Sequence, residues 1–228
     1  MMSFISYFIN GLSLGSVYAI IALGYTMVYG IAKMLNFAHG DVIMIGGYVV
    51  FTVVSTMGLP PAVGILLAVI ICTVLGVTIE KVAYRPLRMA SPLAVLITAI
   101  GVSYLLQNIA LLVFGSNPKS FTSVVTIPAL KLAGGRLTIS GETLVTIVSC
   151  IVIMIVLTTF IKKTRAGQAM LAVSEDKGAA QLMGINVDGT IALTFAIGSA
   201  LAAIAGTLLC SAYPTLTPYT GSMPGIKA

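Results

Sequence analysis

The polar side chains that could do chemistry are few in this chain, and the densest group lies at residues 36–41. Asn36, His39 and Asp41 place an amide, an imidazole and a carboxylate within six residues, between two apolar stretches. Polar groups next to hydrocarbon are costly, about 2.5–3.5 kcal/mol for Asp at mid-helix, and they tend to mark functional positions. Two interpretations stay open: Asn36 or Asp41 caps the start of the next helix, or the group belongs to a transport path.

A second polar pair lies inside an apolar stretch. Gln107 and Asn108 are adjacent, and Ser103 and Tyr104 precede them. Two amides surrounded by hydrocarbon form hydrogen bonds to neighbouring helices. They either line a polar cavity or hold helices together, and the pattern slightly favours the second interpretation.

Several catalytic patterns are missing from the sequence. It contains no G-x-x-x-x-G-K-[ST] phosphate loop, no H-E-x-x-H zinc motif and no G-x-S-x-G nucleophile motif. His39 is the sole histidine, which leaves little for acid–base chemistry and argues against a metal site. We therefore expect no catalytic residue, no metal and no cofactor site in this chain, so that any energy source lies in another protein.

The composition indicates which solvent surrounds the protein. Hydrophobic residues make up 58% of the 228 positions and charged residues 8%, against about 25% charged residues in soluble domains. Such a chain covers its surface adequately only in a bilayer. The net charge of +6 is spread between apolar stretches, which indicates membrane orientation rather than nucleic-acid binding.

Three cysteines in apolar stretches are expected to be small buried side chains: Cys72, Cys150 and Cys210.

Apolar stretches of about 20 residues predict an all-α fold, a polytopic bundle of transmembrane helices. We predict six spans, at 4–31, 40–57, 61–80, 92–115, 142–161 and 189–212. Residues 84–88, between the third and fourth spans, are predicted to form a basic proline loop. The polar segment 116–141 is predicted to form a short hairpin or partial helix with a turn at Gly134-Gly135.

The alternation of the spans, combined with the positive-inside rule, gives an orientation. If the 84–88 loop is cytoplasmic, eight of the twelve basic residues share its side, and the amino terminus lies outside. The eight are Lys33, Lys81, Arg85, Arg88, Lys162, Lys163, Arg165 and Lys177. The other four are Lys119, Lys131, Arg136 and Lys227.

The segment 162–188 is too polar to span and is predicted to lie on the cytoplasmic surface. Residues 166–183 predict one amphipathic helix, which Gly184 ends at the C′ position. The predicted apolar side of this helix consists of Met170, Val173 and Leu182. The side that is predicted to face water consists of Glu175, Asp176 and Lys177.

Small residues recur at every fourth position on two of the spans. They are Gly11, Gly15 and Ala19 on the first, and Gly198, Ala202 and Gly206 on the sixth. Such ridges allow helices to approach closely. Packing within the chain is the favoured interpretation, and a subunit interface or a pore lining is the alternative.

The motifs that carry a family resemblance are spread over nearly the whole chain. They are N-G-L-S-L-G-S-V-Y-A at 10–19, L-G-Y-T-M-V-Y-G at 23–30, N-F-A-H-G-D at 36–41, E-K-V-A-Y-R-P-L-R at 80–88, L-I-T-A-I-G at 96–101, S-E-D at 174–176 and G-I-N at 184–186. In these motifs the chain resembles the branched-chain amino acid ABC transporter permeases, and among them the first of the two paired permease subunits.

The resemblance implies that residues 1–228 form one ABC importer transmembrane domain with a cytoplasmic coupling loop at 162–188. It implies a multi-pass protein of the bacterial inner membrane that moves leucine, isoleucine and valine inward by alternating access. The implied partners are a second permease subunit, two ABC ATPase subunits that use the ATP, a periplasmic or extracellular substrate-binding protein, and the lipid bilayer.

The resemblance also implies a docking role for the coupling loop. Permeases of ABC importers carry Glu-Ala-Ala, three residues and Gly in a helix that docks on the ATPase. Ala179, Ala180 and Gly184 match the Ala-Ala-x-x-x-Gly part of this motif. Gly178 stands where the motif has Glu, and Glu175 precedes it in the same loop.

Other functions stay open at this point. Related permeases import urea or short amides. An ion-coupled carrier that works alone would need carboxylates in mid-span or broken helices, which the sequence does not indicate. Members of the family usually continue past the equivalent of Tyr213 into a further span, so a shortened, non-transporting remnant is a third alternative.

Overall fold

The computed structural model describes residues 2–121, 123–125, 127–132 and 137–227, and within them the chain forms a bundle of helices. Six helices are long and apolar enough to cross a membrane, which confirms the predicted polytopic all-α fold. They are Phe4–Ala32, His39–Thr56, Pro61–Leu87, Pro92–Phe114, Gly141–Lys163 and Val187–Ala212.

Shorter elements connect the long helices. The helices are α1 (Met2–Ala32), α2 (His39–Phe51), α3 (Pro61–Ile79), α4 (Pro92–Phe114), α5 (Gly141–Lys163), α6 (Arg165–Glu175), α7 (Lys177–Leu182), α8 (Val187–Ala212) and α9 (Ser222–Lys227). The strands are β1 (Lys119–Ser120), β2 (Leu130–Leu132), β3 (Leu137–Ile139) and β4 (Thr215–Leu216). A π-helical turn, Thr52–Thr56, continues α2.

Local side-chain caps fix where several helices begin. The hydroxyl of Ser91 accepts a hydrogen bond from the amide of Ala94 at the start of α4, and Ser140 does the same for Thr143 at the start of α5. The side chain of Asn186 caps α8. Each cap satisfies one amide that has no partner within its helix, and each lies one to three residues before the predicted start of a span.

The third span extends further than the sequence predicted. A π-helical turn, Glu80–Tyr84, and a 3₁₀ turn, Arg85–Leu87, continue α3 where we predicted a loop at 84–88. Proline fits the first turn of a helix because the amide it lacks would have no partner there. The side chains of Glu80 and Tyr84 are buried, so this extension belongs to the packed bundle.

The segment between α4 and α5 contains the predicted hairpin. Strands β2 and β3 pair antiparallel, with Leu130 opposite Ile139, whereas the predicted turn at Gly134-Gly135 lies outside the described residues. Strand β1 pairs antiparallel with β4, which the sequence did not indicate. This second pairing joins the chain after α4 to the chain after α8.

Helices α2 and α8 form the centre of the bundle, and they approach at backbone distance. A Cβ atom added to Gly206 would lie 2.3 Å from the carbonyl oxygen of Ile43, and one added to Gly46 would lie 2.9 Å from the Cα atom of Ala203. The small residues of the sixth span therefore pack within the chain, as predicted. On α1, no atom of the described residues lies within 4 Å of a Cβ added to Gly11 or Gly15, so the predicted packing within the chain is wrong for these two.

The three cysteines confirm their predicted environment. Cys72, Cys150 and Cys210 are buried, and none forms a disulfide. Cys72 contacts the carbonyl oxygen of Val42 through its sulfur atom, at 3.6 Å. They act as small side chains between helices.

Charged residues from distant parts of the sequence meet at one end of the bundle. Lys177 donates to the carbonyl oxygen of Ala32, and Arg88 pairs with Asp188. Lys119 lies in the strand pair at the opposite end. This separation agrees with the predicted grouping of the basic residues, of which Arg136 lies outside the described part of the chain. Which end of the bundle faces the cytoplasm stays a prediction.

Gly206→Ala is expected to destabilise the protein, whereas Gly15→Ala is not. At 206 the added methyl group meets the Ile43 carbonyl oxygen, and overpacking of this kind costs about 1–3 kcal/mol. At 15 the site is open, so alanine gains about 0.5–1 kcal/mol through helix propensity. Unfolding of both purified variants in one detergent measures the two effects, and equal shifts would contradict the close packing of α2 on α8.

Candidate functional site

Helix α2 begins inside the bundle rather than at its end. Asp41, in its first turn, bonds to Gln107, which lies about 22 Å along α4 from Pro92 at the helical rise of about 1.5 Å per residue. The ring of His39 lies against Gly24, an interior residue of α1 whose backbone also contacts Gly198 of α8. The polar group at 36–41 is thus carried into the interior by the short segment that follows α1.

The polar group does not cap the helix, so this interpretation is wrong. The N-cap residue of α2 is Ala38, and no side chain accepts a hydrogen bond there. Asn36 instead accepts a hydrogen bond from the hydroxyl of Tyr84, at 3.0 Å between Oδ1 and the phenolic oxygen. Asp41 and His39 are each 1% exposed. The side chains of the group are turned toward other helices.

Asp41 and Gln107 form the polar contact between α2 and α4. The Nε2 atom of Gln107 donates to Oδ1 of Asp41 at 2.9 Å and to the hydroxyl of Ser103 at 3.2 Å. A buried carboxylate is stable only where donors replace its water. Asp41 lies in the first turn of the candidate span His39–Thr56, near the start of the predicted span 40–57.

A cavity of about 500 Å³ lies beside this contact. Its lining combines aromatic and apolar walls with hydroxyl and amide groups: Phe37, Ile100, Ser103, Tyr104, Gln107, Tyr219 and Ser222. A small molecule with one apolar and one polar part fits such a surface. Gln107 therefore lines a polar cavity and also joins α4 to α2 through Asp41. The two roles that the sequence left open for this amide are compatible.

The last part of the chain completes the cavity, and the sequence analysis missed it. A Cβ atom added to Gly221 would lie 1.7 Å from the carbonyl oxygen of Gly40, so the two backbones touch at the start of α2. This contact places Tyr219 and Ser222 on the cavity wall. The run of small and turn-forming residues at 220–225 was the available signal.

Of the predicted path residues, Gln107 alone lines the cavity. Asp41 bonds to Gln107, whereas Asn36 bonds to Tyr84 and lies apart, as do two others. The Nε2 atom of His39 is buried and has no hydrogen-bond partner among the described residues, and the ring of Tyr25 packs edge-on against it. Asn108 is exposed on the outside of α4, and its Nδ2 atom donates to the carbonyl oxygen of Tyr104. Neither lines the cavity beside Gln107.

The predicted coupling helix is two helices, so the single helix over 166–183 is wrong. Asp176 has an extended backbone between α6 and α7, and its carboxylate accepts hydrogen bonds from the amides of Gly178 and Ala179. An aspartate that caps a new helix in this way ends the preceding one. The sequence analysis placed Asp176 on the water-facing side of a single helix and therefore did not predict that a helix ends there.

The burial of the two helices differs from the predicted pattern in two places. Met170 and Val173 are buried, as predicted, but Leu182 is 90% exposed. Glu175 and Asp176 face water, whereas Lys177 is half-buried and donates from Nζ to the carbonyl oxygen of Ala32 at 2.7 Å. The break at Asp176 rotates α7 relative to α6, which changes the face that each residue occupies.

Gly184 ends α7 as predicted. Its φ is +80°, a left-handed conformation that favours glycine, and its amide donates to Gln181 while the amide of Ile185 donates to Ala180. Among the predicted docking residues, Ala180 is buried, and the other three are exposed: Glu175, Ala179 and Gly184.

An ion network that the sequence analysis did not identify holds the same end together. Arg88 pairs with the buried Glu80 through one terminal nitrogen and with Asp188 through the other, and Arg85 also pairs with Asp188. Four charges near span ends in a chain with 8% charged residues were the signal. The network joins the end of the third span to the start of α8.

Comparison with known proteins gives consistent matches. The family described as branched-chain amino acid transport system / permease component matches residues 7–228. The high-affinity branched-chain amino acid transport system permease protein LivH of Salmonella typhimurium strain LT2 is 43% identical over 99% of this chain and 76% of that protein. Permease protein BraD of Pseudomonas aeruginosa is 43% identical over 96% of this chain and 75% of that protein. No solved structure matches.

Gln107→Leu is expected to destabilise the protein, whereas Asn108→Leu is not. The first change removes the donor to the buried Asp41, and an unsatisfied buried acceptor costs about 1–3 kcal/mol. Asn108 bonds only within its own helix among the described residues, so leucine there is tolerated. Unfolding in detergent measures both variants. If the two were equally stable, the Asp41–Gln107 contact would not support the structure.

Proposed function

The chain belongs to the family of branched-chain amino acid transport system permease components, and we propose that it is the membrane-spanning permease subunit of an ATP-binding-cassette importer for leucine, isoleucine and valine. Relatives at 43% identity are named as high-affinity permeases of this transport system. Six candidate spans support a multi-pass membrane protein. Membership of a permease family supports a transporter rather than an enzyme. In bacteria its membrane would be the inner membrane.

The observation that carries the proposed translocation path is the cavity beside the start of α2. A short helix that begins within the bundle places polar groups in a region where the neighbouring spans are apolar. Backbone at membrane depth that is not helical is tolerated where it is buried in protein or lines a cavity. We assign to the path the cavity wall at Ser103 and Gln107 together with the adjoining Asp41.

The chemistry of this cavity suits a branched-chain amino acid. Its apolar part, Phe37, Ile100 and Tyr104, would contact the aliphatic side chain. Asp41 is buried behind Gln107 and does not line the cavity. Its carboxylate would attract the α-ammonium group across Gln107, and the hydroxyl of Ser103 would donate to the α-carboxylate.

Energy would come from the partner subunits, because the chain carries no phosphate-binding loop. Two ABC ATPase subunits would bind ATP and dock at the coupling loops of this chain and of a second permease subunit. The exposed tip of α7, with Ala179, Leu182 and Met183, offers an apolar surface for that contact. A substrate-binding protein would deliver the amino acid at the opposite end.

The loop has a direct structural connection to the path. Gly184 ends α7, and Asn186 caps α8 two residues later. Helix α8 then contacts α2 at Gly206, within the element that starts at the cavity. A displacement of α7 by the ATPase would therefore reach α2 through one rigid helix, which is the element that alternating access requires.

Ser103→Phe is expected to reduce leucine uptake at least about tenfold, because a phenyl ring would fill the cavity. A tenfold change in rate corresponds to a loss of about 1.4 kcal/mol in contacts with the substrate or its transition state. Ser149→Phe is the control, because Ser149 lines a different cavity of about 400 Å³ between α3, α5 and α8. Uptake is measured in vesicles with the ATPase and binding-protein partners present.

Two outcomes of this experiment would contradict the proposal. Equal uptake by both serine variants would remove the cavity from the path. Leucine uptake that persists without the ATPase subunits and collapses with a protonophore would indicate an ion-coupled carrier that uses Asp41, which is the alternative function.

Leu182→Glu is expected to abolish co-purification of the ATPase subunits, whereas Met89→Glu is not. The two side chains are 90% and 98% exposed and lie at the same end of the bundle, so the control matches the change in charge and exposure. A buried charge without a partner at an interface costs several kcal/mol. Pull-down of ATPase with each variant is the measurement. Retention by Leu182→Glu would contradict docking at α7.

A further inference from the structure

A second cavity, of about 300 Å³, lies at the charged end of the bundle, between the end of α1 and the start of α4. Its polar wall has three basic side chains and no acidic one: Lys33, Arg88 and Lys177. Its other walls are apolar or aromatic and include Tyr29, Met34, Leu35, Pro92, Val95 and Leu96. The cavity is separate from the proposed path, which lies beside Gln107.

Two of the three cations lack an acidic partner. Arg88 is neutralised, because its terminal nitrogens pair with Glu80 and Asp188. The side chain of Lys177 donates only to the carbonyl oxygen of Ala32 among the described residues, and the side chain of Lys33 forms no hydrogen bond or ion pair with them. Burial lowers the pKa of Lys177, and the nearby positive charges of Arg88 and Lys33 lower it further. An anion in the cavity would relieve this repulsion.

The apolar walls continue onto a surface that faces away from the bundle. Leu93 and Ile97 lie four residues apart on one face of α4, and both are exposed. Leu93 and Ile97 adjoin the cavity residues Pro92 and Leu96 in the sequence. Together they form a track that begins at the basic wall and runs along the span.

We propose that this cavity binds an anionic phospholipid, with the phosphate between Lys33 and Lys177 and an acyl chain along the α4 track. The cavity lies at the ends of two candidate spans, Phe4–Ala32 and Pro92–Phe114, where headgroups are found. Basic pockets between transmembrane helices bind anionic headgroups in this way. The apolar track distinguishes a lipid from a free phosphate, which would gain nothing from it.

Such a lipid would also stabilise the coupling loop. Lys177 is the first residue of α7, and its bond to Ala32 joins that helix to the end of α1. A phosphate beside Lys177 would hold its ammonium group charged and in place. The headgroup composition of the membrane would thereby affect how firmly α7 is held.

Lipid binding can be measured with a single fluorophore, because the chain has no tryptophan. Leu93→Trp places one on the exposed track, and its quenching by brominated phosphatidylglycerol is compared with quenching by brominated phosphatidylcholine in mixed vesicles. We expect a preference for phosphatidylglycerol. In the same background, the double variant Lys33→Gln with Lys177→Gln should remove this preference, because each lysine contributes about fivefold to the binding of the anionic lipid.

The matched control is Lys81→Gln, an exposed lysine at the same end that does not line the cavity, and it should keep the preference. If the double variant fails to fold, Lys33→Gln alone, at an exposed position, should still lower the preference about fivefold. An unchanged preference, or an equal loss in Lys81→Gln, would overturn the proposal. Relief of quenching by inorganic phosphate alone would identify a free-anion site and overturn the lipid assignment.

Discussion

The close approach of α2 to α8 is the constraint on which the rest of the structure depends. Helices in lipid gain little from apolar burial, so their association relies on contact between closely packed atoms. Gly46 and Gly206 bring the two backbones together. Because this contact holds α2 in the centre, its first turn opens inside the bundle, and Asp41 must find a donor there, which Gln107 provides. The candidate path is thus a consequence of packing.

Helix α8 relates the two ends of the molecule. Asp188, in its first turn, joins the ion network of Arg85 and Arg88, and β4, just beyond its end, pairs with β1. A helix that is fixed at both ends and packed along its length moves as a unit. In the proposed cycle, a displacement of α7 by the ATPase would therefore move α8 against α2 at Gly206. The contact there is between backbones, so side chains cannot absorb the movement by changing rotamer.

The sequence predicted the spans well, because length and hydropathy decide them, and the caps at Ser91, Ser140 and Asn186 are local. It could not predict which side of a uniformly apolar helix faces inward. Gln107 and Asn108 are about 100° apart around α4, and the structure buries one and exposes the other. The contact of Gly221 with Gly40 joins residues that are remote in the chain. The small residues at 220–225 indicate a close approach, but no local pattern indicates which helix they approach.

The charged end uses arginine and lysine differently, and the physical properties of the two side chains explain why. The planar guanidinium of Arg88 presents separate nitrogen atoms to Glu80 and Asp188, which suits a permanent bridge between elements. The ammonium group of Lys177 is a compact, strongly hydrated charge, and here it gives one hydrogen bond to a carbonyl oxygen. Its remaining donors need water or an anion. The two arginines of this end are therefore paired with carboxylates of the chain. The side chains of Lys33 and Lys177 have no acidic partner among the described residues, and an anionic lipid headgroup would provide one.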